Sequence, residues 1–266
     1  MIVIGELING TRKPIAAAIA ARDVEYITSL ACQQEAAGAS YVDVNAGTGG
    51  DKEIDDLAWL VSIVQEVITV PLSLDSPNPV ALQRALDIYK GPTPLINSIT
   101  AEPERIEALL PLVVSSGSSV IALCLSEKGM PSDAEDRINV GRGLVGQLIG
   151  AGISADRIFI DPVVVPLGTD HRAGGWVLDA IAGIHAAFPE CHITGGLSNV
   201  SYGLPQRALL NRIFVAMAIS RGLDSAIIDP MDKAMMATAV AAEALVGRDE
   251  WCMGYLQAHR DGRLEI

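Results

Sequence analysis

The sequence predicts an α/β protein, a single (β/α)8 TIM barrel that occupies residues 1–266 as one domain. Three observations predict it. Eight short apolar, β-branched runs alternate with eight segments of helical spacing, and parallel strands need such crossovers, so a sheet of eight closes on itself. Gly38, Gly117, Gly152 and Gly222 each stand just ahead of a strand, where a left-handed residue ends the preceding helix. No linker, low-complexity stretch or block of like charge divides the chain, whose length this fold uses as one unit. An open doubly wound sheet is the alternative architecture. Against it, Gly5-Glu6-Leu7-Ile8-Asn9-Gly10 follows the first strand in place of a GxGxxG.

In chain order the strands are expected at 2–4, 40–44, 71–75, 93–97, 118–123, 157–161, 192–197 and 225–229. Each is a β-branched or apolar run. Between and after them, helical spacing covers 24–37, 54–67, 79–89, 103–115, 134–150, 174–187, 207–221 and 233–246. Asp23, Asp133 and Ser201 are expected as helix amino caps. Cys124 and Met217 have apolar neighbours and are expected in the core.

Composition narrows the function. Half of the residues are hydrophobic, but Ala supplies much of that share, and stretches such as 234–246 stop short of a membrane span. No membrane segment is predicted. The amino terminus lacks the pattern of a signal peptide, and Cys32, Cys124, Cys191 and Cys252 form no CxxC pair, so a cytoplasmic protein without a disulfide framework is expected. A net charge of −13 disfavours nucleic acid, whose phosphates call for a basic face.

In a barrel of this kind the chemistry sits at the carboxy ends of the strands. Taken in order these read Glu6 and Asn9, Asp43 and Asn45, Asp75 and Ser76, Asn97 and Ser98, Cys124 and Ser126, Asp161, Ser198 and Asn199, and Asp229. The central stretch is Ile193-Thr194-Gly195-Gly196-Leu197-Ser198-Asn199, a strand that ends in small and amide-bearing residues and leads towards Arg207. Its glycines let a ligand approach the backbone closely. No lysine stands at a strand end, which argues against Schiff-base chemistry, and the histidines are not clustered for a metal, so no metal site is expected. A ring of acids and amides suits a neutral heterocycle rich in N–H donors, such as a pterin. Its 2-amino and N3 hydrogens form a pair that one carboxylate accepts, and Asp161 is the candidate for that partner. The competing reading is that such aspartates cap the following helices, at even odds for any one of them; four polar ends on one face favour a site.

The opening Ile4-Gly5-Glu6-Leu7-Ile8-Asn9-Gly10, Asp43-Val44-Asn45, Leu74-Asp75-Ser76, Ile96-Asn97-Ser98, Ile160-Asp161-Pro162 and Gly196-Leu197-Ser198-Asn199-Val200-Ser201 lie in the order found in the pterin-binding methyltransferases. The chain most resembles the methyltetrahydrofolate:corrinoid protein methyltransferases, over essentially its whole length. Dihydropteroate synthase shares the barrel and is the close competitor. Its pyrophosphate loop, catalytic-loop lysine and final Arg-x-His pair are replaced here by Asn45-Ala46-Gly47-Thr48-Gly49, Gly196-Leu197-Ser198-Asn199 and Ile228-Asp229-Pro230.

The resemblance implies an enzyme that moves a methyl group between N5 of tetrahydrofolate and the cobalt of a corrinoid (cobalamin) carried by a separate protein. It implies that Asn199 assists at N5 with Asp75 organising the surrounding network, and that Asn97 and Asp161 bind the pterin with Gly196 and Ser198 lining it. Arg207 is a candidate for the p-aminobenzoyl-glutamate tail, with a surface ion pair as the equal alternative, and Asp43 is either a further ligand or a structural tie. Loops 46–51, 126–132 and 166–175 are the expected contact surface for the corrinoid protein, and a homodimer is expected from the family. The direction of transfer stays open: methyl drawn from methyltetrahydrofolate, as in acetogenesis, or returned to tetrahydrofolate after demethylation of a methoxy compound or glycine betaine. A non-catalytic pterin-binding subunit is the remaining alternative.

Overall fold

The computed structural model describes residues 1–265. Its elements run β1 (Ile2–Asn9), α1 (Lys13–Ala21), α2 (Val24–Ala36), β2 (Tyr41–Asn45), α3 (Asp51–Val64), β3 (Leu72–Asp75), α4 (Pro79–Ile88), β4 (Leu95–Thr100) and α5 (Pro103–Ser116). There follow β5 (Ser119–Leu123), α6 (Ala134–Gly150), β6 (Ile158–Asp161), α7 (Ala173–Ala187), β7 (His192–Ile193), α8 (Arg207–Ser220), β8 (Ser225–Ile228), α9 (Lys233–Leu245) and α10 (Met253–Arg260). All the pairings are parallel, in the order β7-β6-β5-β4-β3-β2-β1-β8. The ring closes where Ile227 N–H donates to Gly195 O at 3.0 Å and Gly196 bridges to Ile227. This is the expected barrel.

Departures from the expected elements have local causes. β7 is two residues long, because Thr194, Gly195 and Gly196 continue extended only until Leu197 enters a 3-10 turn over Leu197–Ser201. Ser201 lies inside that turn and caps no helix; α8 begins at Arg207 behind Gln206. β1 runs five residues further than expected because it carries a bulge between Gly5 and Ile8, where the buried Gln34 accepts from Leu7 N–H at 3.0 Å. α1 and α10 are additions outside the eight-fold repeat. Asp23 and Asp133 do cap, accepting from Tyr26 N–H and Asp136 N–H, and all four helix-ending glycines have positive φ.

Alternation along the strands divides the barrel interior in two. Ile4, Leu95, Ile121 and Phe159 pack together with Ile2, Tyr41 and Ile227 against them and fill its lower half. Two residues further along the same strands stand Glu6, Asn97, Asp161 and Asp43. The chain thus changes from apolar to polar at one level of the barrel, and that level is the floor of a site. A second, larger apolar cluster lies between the strands and the helix ring, and Cys124 is fully buried in it. Met217 is not in the core: its side chain is 48% exposed on the outer face of α8.

Candidate active site

The sequence-predicted residues gather at the carboxy mouth in two groups. Asp43, Asp75 and Asn97 come from β2, β3 and β4, with Asn45, Asp75 and Asn97 in register across the three strands. Asp161, Gly196, Ser198, Asn199 and Arg207 come from β6 and the segment after β7. These groups stand on opposite sides of the mouth. A cleft of about 340 Å³ opens beside the first, lined by Asp75, Ser76, Asn97, Ser98, Glu102 and Arg105 among others.

In the first group the side chains are tied to one another. Asn45 Nδ2 donates to Asp75 Oδ2 at 2.7 Å, and Asn45 Oδ1 accepts from Gly47 N–H at 2.7 Å. Asp43 Oδ1 accepts from Ser73 Oγ at 2.6 Å and from Asn97 Nδ2 at 3.2 Å. Ser76 Oγ donates to the buried Glu53 at 2.6 Å. Burial, opposed by the Asn45 hydrogen bond and assisted by the charge of Glu53, pushes Asp75 up to about 6. Burial and then the neighbouring Asp75 hold Asp43 well above the usual carboxylate range.

In the second group Asp161 is 7% exposed, and burial raises its carboxyl to about 6 despite amide donors from Val163 and Gly196. Its Oδ1 accepts from Val163 N–H at 2.8 Å. Val163 has φ 62°, a left-handed conformation that a β-branched residue adopts only under constraint. The constraint is visible: the fully buried Arg137 donates to Val163 O at 3.4 Å and to Asp133 O at 2.7 Å. Asn199 is exposed on the 3-10 turn. Arg207 donates through Nε to Ser201 Oγ at 3.1 Å and through Nη2 to Ser198 O at 2.8 Å. Its guanidinium therefore clasps the turn that carries Asn199. Beside it, burial raises Glu6, with Arg12 opposing, and Glu6, Ser198, Asn211 and Asp229 line a second cavity of about 60 Å³.

Sequence reasoning missed Glu53, Arg105 and Arg137. Glu53 and Arg105 stand in first turns of helices, which reads in a sequence as ordinary solvated charge, and Arg137 is inside α6. Only folding shows that Arg137 is buried.

Together the two groups offer carboxylate and amide oxygens to a planar donor-rich ring. Comparisons with known proteins agree with that chemistry. Residues 5–229 match the family model described as pterin binding enzyme. The chain is 36% identical over 266 residues to the methylcorrinoid:tetrahydrofolate methyltransferase of Eubacterium limosum, covering 99% of this chain and 98% of that protein. It is 30% identical over 241 residues to the methionine synthase of Mycobacterium tuberculosis, 86% of this chain but only 20% of that protein. A dihydropteroate synthase from Coxiella burnetii, solved with pteroic acid, superposes with a TM-score of 0.73 at 15% identity over 93% of this chain and 94% of that one, a likeness of fold. The chain is a member of the pterin-binding enzyme family and, within it, of the methyltetrahydrofolate:corrinoid protein methyltransferases.

Proposed function

We propose that this protein transfers a methyl group between N5 of tetrahydrofolate and the cobalt of a corrinoid carried by a separate protein. The observation that supports this most is the full-length relationship to a methylcorrinoid:tetrahydrofolate methyltransferase, joined to a mouth built of acids and amides. In the direction towards folate, the N5 lone pair attacks the methyl carbon, the Co–C bond breaks with its electron pair left on cobalt as Co(I), and N5 gives up a proton. In reverse, Co(I) attacks the methyl carbon and N5 must be protonated as it leaves. Asp161 and Asn97 hold the pterin by its N–H edge, with Gly196 and Ser198 along it. Asp75, fixed by Asn45, orders the network through which the proton moves. Asn199 donates to N5 in the transition state; an amide is too weak an acid to supply the proton itself, so its part is electrostatic.

Arg207 serves this reading by holding the Asn199 turn, while the folate tail leaves through the open cleft where Arg105 stands. The partner approaches the loops above the mouth, which need no lid of their own. The protein also pairs with a second copy through the stripe Leu209, Ile213 and Met217 on α8, all about half exposed at one-turn spacing. Sedimentation of Ile213→Asp as a monomer, against a wild-type dimer, would support that pairing, and a monomeric wild type would remove it.

Asn199→Ala tests the chemistry. Tetrahydrofolate affinity should fall by no more than about tenfold, one hydrogen bond's worth. The rate of methyl transfer from methylcobalamin should fall about 100-fold or more. Equal loss of both would make Asn199 a binding residue and favour a non-catalytic pterin carrier.

A further inference from the structure

We propose that Asp43 is a positioning residue that acts through Asn97, fixing which end of the Asn97 amide faces the ligand. The proposal rests on the functional reading above for the identity of that ligand, and on geometry for everything else. Asp43 is 3% exposed and stands on β2, one strand removed from Asn97 on β4. Its Oδ1 receives both the Ser73 hydroxyl at 2.6 Å and the Asn97 Nδ2 at 3.2 Å, reaching beneath Asp75. The only donor on an asparagine side chain is its nitrogen, so this contact decides the rotation of the amide. Asn97 Oδ1, which the Asp43 contact leaves unpaired, is then the end of the amide available as an acceptor to the cleft that Asn97 lines.

Ionised, Asp43 can only accept, and neutral it still accepts at Oδ1 as long as its proton sits on Oδ2. That matters for selectivity: an amide held this way accepts from a ring N–H and opposes a ring nitrogen that bears only a lone pair. Freed from Asp43, the amide turns either way and loses that discrimination. The strand β2 thus acts twice behind the site, with Asn45 tied to Asp75 and Asp43 tied to Asn97.

The test is a double-mutant cycle on tetrahydrofolate affinity by calorimetry, using Asp43→Ser, Asn97→Ala and the double variant. Serine keeps a partner for Ser73 but is too short to reach Asn97; Asp43→Thr replaces it should that variant not fold. Asp43→Ser should weaken binding about tenfold, and the double variant should bind no worse than Asn97→Ala alone. Asp43→Asn, which keeps the acceptor, should restore affinity to within about threefold of wild type. Multiplying single-variant losses, wild-type affinity in Asp43→Ser, or no rescue by Asp43→Asn would each overturn the proposal. A ligand-free arm separates it from the functional reading: with asparagine labelled in nitrogen-15, the Asn97 side-chain amide protons should be protected from exchange in wild type and lose protection in Asp43→Ser. Unchanged protection would refute the positioning role. If wild type binds no tetrahydrofolate, the functional reading falls and the amide signal still decides the role of Asp43.

Discussion

Asp161 shows what the site costs the fold. Its carboxyl is buried and raised from 3.8 to about 6, so between those values the folded protein holds a proton that the unfolded chain releases. Stability should therefore decline as pH rises from about 4 to about 6, then level off once the group is ionised in both states. Asp161→Asn retains an oxygen for Val163 N–H and removes the buried charge. We expect it to stabilise the free protein at pH 7.5 by on the order of 1–3 kcal/mol in urea unfolding, while tetrahydrofolate binding is lost. An unchanged or lowered midpoint would mean that Asp161 is already well solvated. In wild type, affinity should fall as pH drops below about 6, as Asp161 protonates and loses its capacity to accept both N–H groups of the pterin edge. An affinity flat from pH 7.5 to 5 would contradict that assignment.

At the scale of elements, the loops after β1 and β2 are locked face to face. A Cβ on Gly10 would lie 1.9 Å from Ala46 O, and one on Gly47, which has φ 64°, would lie 2.4 Å from Gly10 C. Gly10 N–H donates to Asn45 O at 2.8 Å, so this contact also holds the asparagine that fixes Asp75. Gly10→Ala should cost about 1–3 kcal/mol of stability through backbone displacement and weaken folate binding with it. Unaltered unfolding would show that the loops part freely. The same elements explain what could be foreseen. The ends of β2, β3 and β6 were legible to within a residue because an apolar run closed by Asp or Asn is a local pattern, whereas β4 does not stop at Asn97 but pairs with β5 as far as Thr100. β7 was expected to reach residue 197, since glycines leave no side-chain signal for where a strand stops, and the change to a 3-10 turn depends on Arg207 clasping Ser198 and Ser201 from six to nine residues away. The role of Asp43 was ambiguous for a like reason: an inward strand-end acid has the same sequence signature whether it meets a ligand or its neighbour.

For the whole molecule, the eight-fold alternation of strand and helix made the barrel legible, and the polar ring followed from it because strand ends share one face. α1 and α10 lie outside that repeat, and the apolar stripe of α8 faces away from the barrel. The hydrophobic period of α8 serves two surfaces at once, with Val215, Ala218 and Ile219 against the barrel and Leu209, Ile213 and Met217 outward. That division is why Met217 was misplaced. The barrel opens its acid- and amide-lined mouth to solvent, and among the described residues no helix is long and apolar enough to cross a membrane. The most direct measurement is a stopped-flow reaction of the wild-type protein with Co(I) cobalamin and methyltetrahydrofolate, and of methylcobalamin with tetrahydrofolate. We expect interconversion of the Co(I) and methylcobalamin spectra at a rate that depends on protein concentration and collapses in Asn199→Ala. Tight binding of methyltetrahydrofolate with no transfer in either direction, to free cobalamin or to a corrinoid protein, would contradict it.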